Sequence, residues 1–592
     1  MLLDWSGAYQ YIWPAPGADD ADPLGVLNPD TRLEHEVIAA CYAFLFPRAS
    51  DAADRSKLAS QAATFFALRN PSRTPAVQPA EIEDAADKLQ PLWDQIISCA
   101  NDPILLKPSK RGDTQKWWSA AMRLLIIADE ASTGIGFHHE VMAGDTKPPD
   151  LIQTSVQVIT YEKLRGKHAN DDTVPVPTLC SELVSSDVVC VLPKTRTSQV
   201  GCTMRALTHN LAPIFSRGQV AAQWHISRKR PTPACEKGQS RGAPLNLLLV
   251  PFPYRIPSRC FDSRDQRYYF YTDQQPWLSN NDRNPQTRSD STAKELCDFV
   301  ESLCSVCQAG KVDIHGIVFP EYSLDWFTFD HISKELARKF ASLEFVISGV
   351  SDTVEGDKGN FVATRGRLPW ADQKNGWKPG AEVQWSYECT RGKHHPWILN
   401  NVQMQRYGVT HRFPERRDVL EHIQVGQRQI DFVEPRSGTS MTTLICEDLA
   451  RIDPCQQVIR SVGPNLVIAL LMDGPQILTR WPRHYAGVLA DDPGSSVLTF
   501  SSFGLIERAA PTDSARSRAV AFWKDSLSEK ELNLTSGSHA LAVTLEATRI
   551  EETTLDRRGD GKRSYLWQLA QVQTVRARPG VADWILQGAG EF

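Results

Sequence analysis

Between residues 33 and 131 apolar side chains recur at three- and four-residue spacing in three stretches: LEHEVIAACYAFLF (33–46), AEIEDAADKLQPLWDQIISCA (80–100) and DTQKWWSAAMRLLIIADEA (113–131). That period puts one apolar stripe on a helix face, so a helix-rich region is expected over residues 1–150. From about residue 150 the pattern changes. SSDVVCVLP (185–193) is an unbroken apolar run of strand length, and QVAAQWHIS (219–227) is a second candidate strand. RKRPTPACEKGQSRGAP (228–244) interrupts the pattern with Lys, Arg, Pro and Gly and reads as a linker. Residues 151–243 are thus expected to form a small α+β region and linker, and 244–592 a separate domain.

After the linker, strands and helices alternate. LNLLLVPFP (245–253), IHGIVFP (314–320), LEFVISGV (343–350), SMTTLI (440–445), PNLVIALL (464–471) and SSVLTFSS (495–502) are short apolar or β-branched runs. Helical spacing occupies 291–310, ending at Gly310, then 326–341, 448–461 and about 479–490. HALAVTLEAT (539–548) alternates like an edge or hairpin strand. Such alternation belongs to a layered α/β domain.

Composition narrows the function classes. A chain of 592 residues is too long for one ordinary core. A formal charge of −5 excludes a strongly basic nucleic-acid binder overall, leaving room for local patches. Thirteen cysteines, an odd number at irregular spacing, do not form a disulfide framework. The opening MLLDWSGAYQYIWPAPGADDADP has no basic segment followed by an apolar one, and no run reaches the ~18 apolar residues of a membrane span. The expectation is a cytoplasmic protein with reduced thiols and no membrane partner.

Three predicted strand ends carry reactive groups. GIVFPEYSLD (316–325) runs into Glu321, RGKHHPWILNN (391–401) places Lys393 in a loop, and TTLICEDLARIDP (442–454) stops at Cys446, with Glu447 and Asp448 next. A thiol with a pKa of about 8.5 needs a base to take its proton or a cation to favour the thiolate. Glu321 suits the first task. Lys393 suits the second, and also suits a developing oxyanion. Singly these residues have bland explanations: core packing for the cysteine, solvated surface for the Glu and the Lys. Their conjunction in chain order is what carries weight.

VFPEYS, KHHPW and LICEDL, in that order, resemble the signatures of the nitrilase superfamily of carbon–nitrogen hydrolases. The resemblance extends over about residues 244–580, from LNLLLVPFP to the closing hairpin and the arginine-bearing tail that follows it. It implies an α/β fold, a four-layer α-β-β-α nitrilase-type sandwich preceded by the helix-rich N-terminal region. It implies a Glu321–Lys393–Cys446 site that cleaves a small-molecule amide or nitrile through a thioester, with the backbone N–H of Glu447 or a neighbour helping to hold the oxyanion. No cofactor and no metal are needed for that chemistry. Pairing into a homo-dimer or larger homo-oligomer is also implied, with Trp326, Phe327, Phe329, Ile332, Leu336 and Phe340 offered by the helix after Glu321. One departure concerns the family's second glutamate, eight residues after the lysine, where this chain has Asn401. Asn401 can orient substrate by hydrogen bonds but cannot act as a carboxylate; Glu415 and Glu421 lie downstream. Loss of that glutamate favours the rival reading, a low-turnover scaffold serving as an interaction module.

Other features carry less. Asp473, at the end of the strand after the cysteine's, is a candidate to border the pocket, with Arg480 and Arg483 following. VLADDPGS (488–495) resembles the acidic box of reverse transcriptases but reads better as a helix stop. Cys304 and Cys307 lie within a helical pattern and lack a second ligand pair, which disfavours zinc. Adjacent His394 and His395 should point to opposite sides, one toward the pocket and one toward the surface. PKTRTSQVGCTMRALTHNLA (193–212) sets Lys194, Arg196 and Arg205 about a helix start, an arrangement suited to phosphate or nucleic acid. This segment, together with the KHHPW…QRYG (393–408) and VLADDPGS segments, also resembles nitrilase-like proteins attached to bacterial phage-defence systems, including reverse-transcriptase fusions.

Overall fold

A computed structural model describes most of residues 242–586, the strand at 221–225 and a few positions between 91 and 99. Positions 91, 94, 95 and 98 are helical, within the stretch expected to be a helix. The helices expected at 33–46 and 113–131, the strand at 185–193, the basic segment 193–212 and the linker up to residue 241 lie outside the described residues.

The first described strand, β1 (Ala221–His225), joins the second of two seven-stranded sheets. The first sheet comprises β2 (Leu245–Leu249), β4 (Gly316–Val318), β5 (Phe345–Asp352), β6 (Lys358–Arg367), β7 (Trp385–Gly392), β16 (Ala540–Glu551) and β17 (Arg563–Val575), in the spatial order β17-β16-β2-β4-β5-β6-β7. The second adds β10 (Gln429–Val433), β11 (Met441–Ile445), β12 (Leu466–Leu471), β13 (Ser496–Ser501), β14 (Ala519–Lys524) and β15 (Glu529–Asn533), in the order β1-β10-β11-β12-β13-β14-β15. A small sheet of β3 (Tyr269–Phe270), β9 (Val419–Glu421) and β8 (Ile398–Leu399) lies outside both.

Each large sheet has a parallel trio at its centre, β2-β4-β5 in one and β11-β12-β13 in the other. Strands buried on both faces need apolar side chains at every position rather than at alternate ones. LNLLL and LVIALL, fully buried along their length, are such strands.

Helices α1 (Pro285–Ala309) and α2 (Trp326–Lys339) pack on each other and cover the first sheet. Beyond the short α3 (Asn401–Arg406) and α4 (Gln457–Val462), α5 (Trp481–Asp491) covers the second sheet along β13 and β14. The inner faces of the sheets meet through β6 with β11, β7 with β10 and β13 with β17, so the layers run α-β-β-α. Arg436 ties them as well: it pairs with Glu344 at 2.7 Å and donates to the carbonyls of Ala243 and Pro244, just before β2.

Helix α2 shows how sequence sets an element and its packing. Asp325 caps it by accepting from Thr328 N at 2.8 Å, and Arg338 and Lys339 complement the dipole at its end. Phe329, Ile332 and Leu336, at helical spacing, are buried against the sheet. Trp326 and Phe340 pack partly against the same core, which leaves Phe327, 45% exposed, as the large apolar side chain on the outer face. Among the described residues no helix is long and apolar enough to cross a membrane.

One expected helix is cut short. After Cys446 the chain makes a 3-10 turn (Cys446–Leu449) and a π-type stretch (Ile452–Gln456) before α4 begins. Pro454 lies in this interval, and a proline, lacking the backbone N–H, kinks or breaks a helix interior. The acidic stretch near 490 does end a helix: α5 stops at Asp491, and Asp492 pairs with Arg460.

Gly349, on β5, is where the sheet meets the turn that presents Glu321. A Cβ there would lie 2.5 Å from both Glu321 Cα and Tyr322 N, and the Gly349 N–H donates to Pro320 O at 3.1 Å. Gly349→Ala is therefore expected to lower stability by about 1–3 kcal/mol and to reduce turnover by displacing Glu321. Urea unfolding run beside rate measurements checks both effects.

Candidate active site

Glu321 follows β4, Lys393 follows β7 and Cys446 follows β11, so the folds of both sheets deliver these groups to one place. All three are buried, each 3% exposed. Lys393 Nζ donates to Glu321 Oε1 at 3.0 Å and to Glu421 Oε2 at 2.6 Å. Asn360, on β6, bridges the same two carboxylates from the other side: its Nδ2 donates to Glu321 Oε1 at 2.7 Å and to Glu421 Oε1 at 2.8 Å. Glu421 also accepts from Trp397 N at 2.9 Å, and its own N–H donates to Trp397 O, which fixes it at the end of β9.

Within this network two acceptors are left over, and one is Asn360 Oδ1. Glu321 Oε2 is buried and has no hydrogen-bond partner in the protein. Burial pushes the Glu321 carboxyl up to about 7; Lys393 opposes that rise and Glu421 adds to it. Burial also raises the Cys446 thiol well above its usual range, with Glu321 adding and Lys393 opposing. Burial disfavours the charge on Lys393, yet the two glutamates outweigh it and hold the ammonium charged well beyond its ordinary range. The resting site thus combines a neutral thiol, a permanent cation and a carboxyl that titrates near neutrality.

The turns on either side are held in conformations that side chains seldom adopt. Cys446 has φ 43° and Tyr322, directly after Glu321, has φ 57°. Left-handed non-glycine residues cost on the order of 1–3 kcal/mol each and persist where surrounding structure holds them. Asp448 is one such hold. Fully buried, it accepts from the backbone N–H groups of His394 and His395 at 3.1 Å each and pairs with Arg391 at 3.3 Å, which ties the cysteine turn to the lysine loop. Burial alone would raise its carboxyl, but the His395 hydrogen bond, with His394 and Arg391 beside it, keeps it below the usual range.

The histidine pair differs from expectation. Neither ring lies on the surface as a free side chain. His394 is buried, accepting from Gln429 N at 3.1 Å with its Nδ1 3.3 Å from Cys455 Sγ, and His395 is part-buried against Asp448. Asn401 opens α3; its Oδ1 is buried and unpaired. The residue that meets Lys393 as a second carboxylate is Glu421, while Glu415 is exposed beside Arg417. Glu447 is partly buried and pairs with Arg451 at 3.4 Å. Asp473 is buried and accepts from Tyr407 Oη at 3.1 Å, from Trp481 Nε1 at 2.9 Å and from Arg480. Both acids raise the Cys446 thiol, so they lie within its electrostatic reach. Arg483 pairs instead with Glu529 on the outside. Cys304 and Cys307 are buried on α1. Asn360 had no sequence signal beyond an amide within an apolar stretch, GNFVA.

No family model matches the chain, and no curated protein matches it. Among solved structures, an amidase from Nesterenkonia sp. is 13% identical, with 43% of this chain and 74% of that chain covered and a TM-score of 0.21. Saccharomyces cerevisiae Nit3, a member of branch 10 of the nitrilase superfamily, is 11% identical, with 50% and 88% covered and a TM-score of 0.24. Likeness of this size carries no argument about activity.

Proposed function

We propose that the chain is a cysteine-dependent carbon–nitrogen hydrolase acting on a small-molecule amide or nitrile. One observation carries the reading: a lysine locked between two buried carboxylates, one of which keeps an unpaired oxygen, beside a neutral thiol at a strained turn. A buried thiol with a raised pKa makes a poor standing thiolate, so it needs its proton removed as it attacks.

Glu321 Oε2 takes that proton while Cys446 Sγ bonds to the carbonyl carbon and the carbonyl electrons move onto oxygen. Lys393 spends two of its three N–H donors on Glu321 and Glu421, which leaves one for the oxyanion. Cys446 opens a 3-10 turn, whose first backbone N–H groups have no partners of their own within the turn and serve the same oxygen. As the carbon–nitrogen bond breaks, Glu321 returns its proton to the leaving nitrogen. Water then attacks the thioester, gives a proton to Glu321, and the carbon–sulfur bond breaks as the thiol is re-formed. Glu421 takes no proton here; it holds Lys393 and shares Asn360 with Glu321.

Glu321→Gln keeps the shape and removes the base, and is expected to lower kcat by at least ~10²-fold. In the wild type, kcat/KM should climb as pH rises through about 7, where the Glu321 carboxyl ionises; the variant should lose that limb. Comparing metabolites of extract incubated with wild type and with Cys446→Ala by mass spectrometry supplies the substrate. If no species is consumed by the wild type alone, the scaffold reading is favoured, in keeping with a nucleophile only 3% exposed. A place in phage defence is a finer proposal resting on residues 193–212 and on the KHHPW…QRYG and VLADDPGS segments; it predicts that Cys446→Ala abolishes protection of an infected host.

A further inference from the structure

We propose that His225, Cys389 and Asp431 bind zinc, and that the ion staples the two sheets together where β1 joins the sandwich. His225 closes β1 and Asp431 lies on β10, both in the second sheet; Cys389 lies on β7 in the first. Their ligand atoms all lie within 4.8 Å of one another, and His225 Nε2 is 2.8 Å from Asp431 Oδ1. The imidazole and the carboxylate are buried, and the thiol is half-buried. A thiolate, an imidazole and a carboxylate suit zinc; calcium and magnesium want oxygen ligands alone.

The surroundings fit an ion. Gln429 Nε2 donates to Asp431 Oδ1 at 2.7 Å, an outer contact of the kind that orients a ligating carboxylate. Beside Cys389 and Asp431 is a cavity of about 10 Å³, with Thr364, Met441 and Thr442 in its wall. That is roughly room for one water, the fourth ligand of a tetrahedral site. Arg391 also lines the cavity, but its charge is committed to Asp448 and to Thr443 O. Binding would release the thiol proton and replace the His225–Asp431 contact with two bonds to metal.

A second cluster, His394, Asp448 and Cys455, has similar spacing, but its imidazole is already committed. His394 Nε2 already accepts from Gln429 N, so Nδ1 carries the proton and faces the Cys455 sulfur, and Asp448 is saturated by the lysine loop. Of these two clusters among the described residues, the first is the more open to an ion.

The test uses the full-length chain, purified without chelator and loaded with zinc or cobalt(II) alone. One zinc per chain is expected by elemental mass spectrometry. The cobalt form should show a near-ultraviolet thiolate-to-cobalt band that disappears in Cys389→Ser, weakens at least ~10-fold in affinity in Asp431→Asn, and survives in Cys446→Ala and Cys455→Ser. Absence of metal, a band that persists in Cys389→Ser, or one that is lost in Cys446→Ala or Cys455→Ser overturns the proposal. If the Cys389 and Asp431 variants do not fold, X-ray absorption of the wild-type cobalt form decides: one sulfur among nitrogen and oxygen ligands supports the site, and no sulfur refutes it.

Discussion

Lys393→Met should destabilise the folded protein by about 3–5 kcal/mol and remove turnover with it. The lysine is the cation shared by Glu321 and Glu421, each 3% exposed. Without it two buried carboxylates, bridged by Asn360 alone, would face each other with little screening. One of them must then take up a proton. The sign of the pH effect follows. A carboxyl whose folded pKa is raised holds its proton in the native state after the unfolded chain has lost it, so its stabilisation is complete below the unfolded value and is lost as pH rises. Glu321 already sits high, near 7 against an ordinary 4.5, with the lysine in place. Removing the lysine extends that window upward. The deficit of Lys393→Met against wild type should therefore be larger at pH 8 than at pH 5 in urea unfolding, and adding Glu421→Gln should restore part of it. Equal stability of wild type and Lys393→Met at pH 8 would contradict this picture of the site.

Cys446→Ala is expected to leave the fold standing and to lower hydrolysis by on the order of 10⁴-fold or more, the scale seen when a nucleophile is removed. Trading a thiol for a hydrogen at a buried strand end costs about 1–2 kcal/mol, and alanine inherits the strained φ of 43°. Circular dichroism and urea unfolding should show a modest loss, while the substrate found in extract should go untouched. Collapse of the fold with this single change would make the cysteine structural.

How far such a site can be read from sequence depends on what positions each residue. The parallel trios were legible because burial on both faces leaves unbroken runs such as LNLLL and LVIALL. Glu321 and Cys446 were legible because each follows an apolar run of strand length, and Lys393 through the KHHPW loop segment between them. β6 and β7 were not, because buried charges hide their pattern. Arg365, 4% exposed, is held by Asp330, Glu388 and Ser333 beneath Trp326, and Arg391 is held by Asp448. The resemblance puts a second carboxylate at residue 401, where this chain has Asn; Glu415 and Glu421 were both candidates downstream, and the choice falls to Glu421 through β9 of the small sheet, whose pairing with β3 and β8 no local pattern announces. Asn360 and the His225–Cys389–Asp431 cluster are likewise products of strand order. Their residues are far apart in sequence and converge only when both sheets are assembled.

The central claim is that Glu321 activates Cys446, and thiol reactivity at single-residue resolution tests it most directly. The folded full-length protein is treated with iodoacetamide at pH 7.5 and modification is mapped by peptide mass spectrometry over time. Cys260, Cys304 and Cys455 are the proper reference, since they are as buried as Cys446. The account predicts that Cys446 is modified well ahead of these three and that Glu321→Gln erases the lead. Modification of Cys446 no faster than Cys455, or a lead that survives Glu321→Gln unchanged, would contradict it.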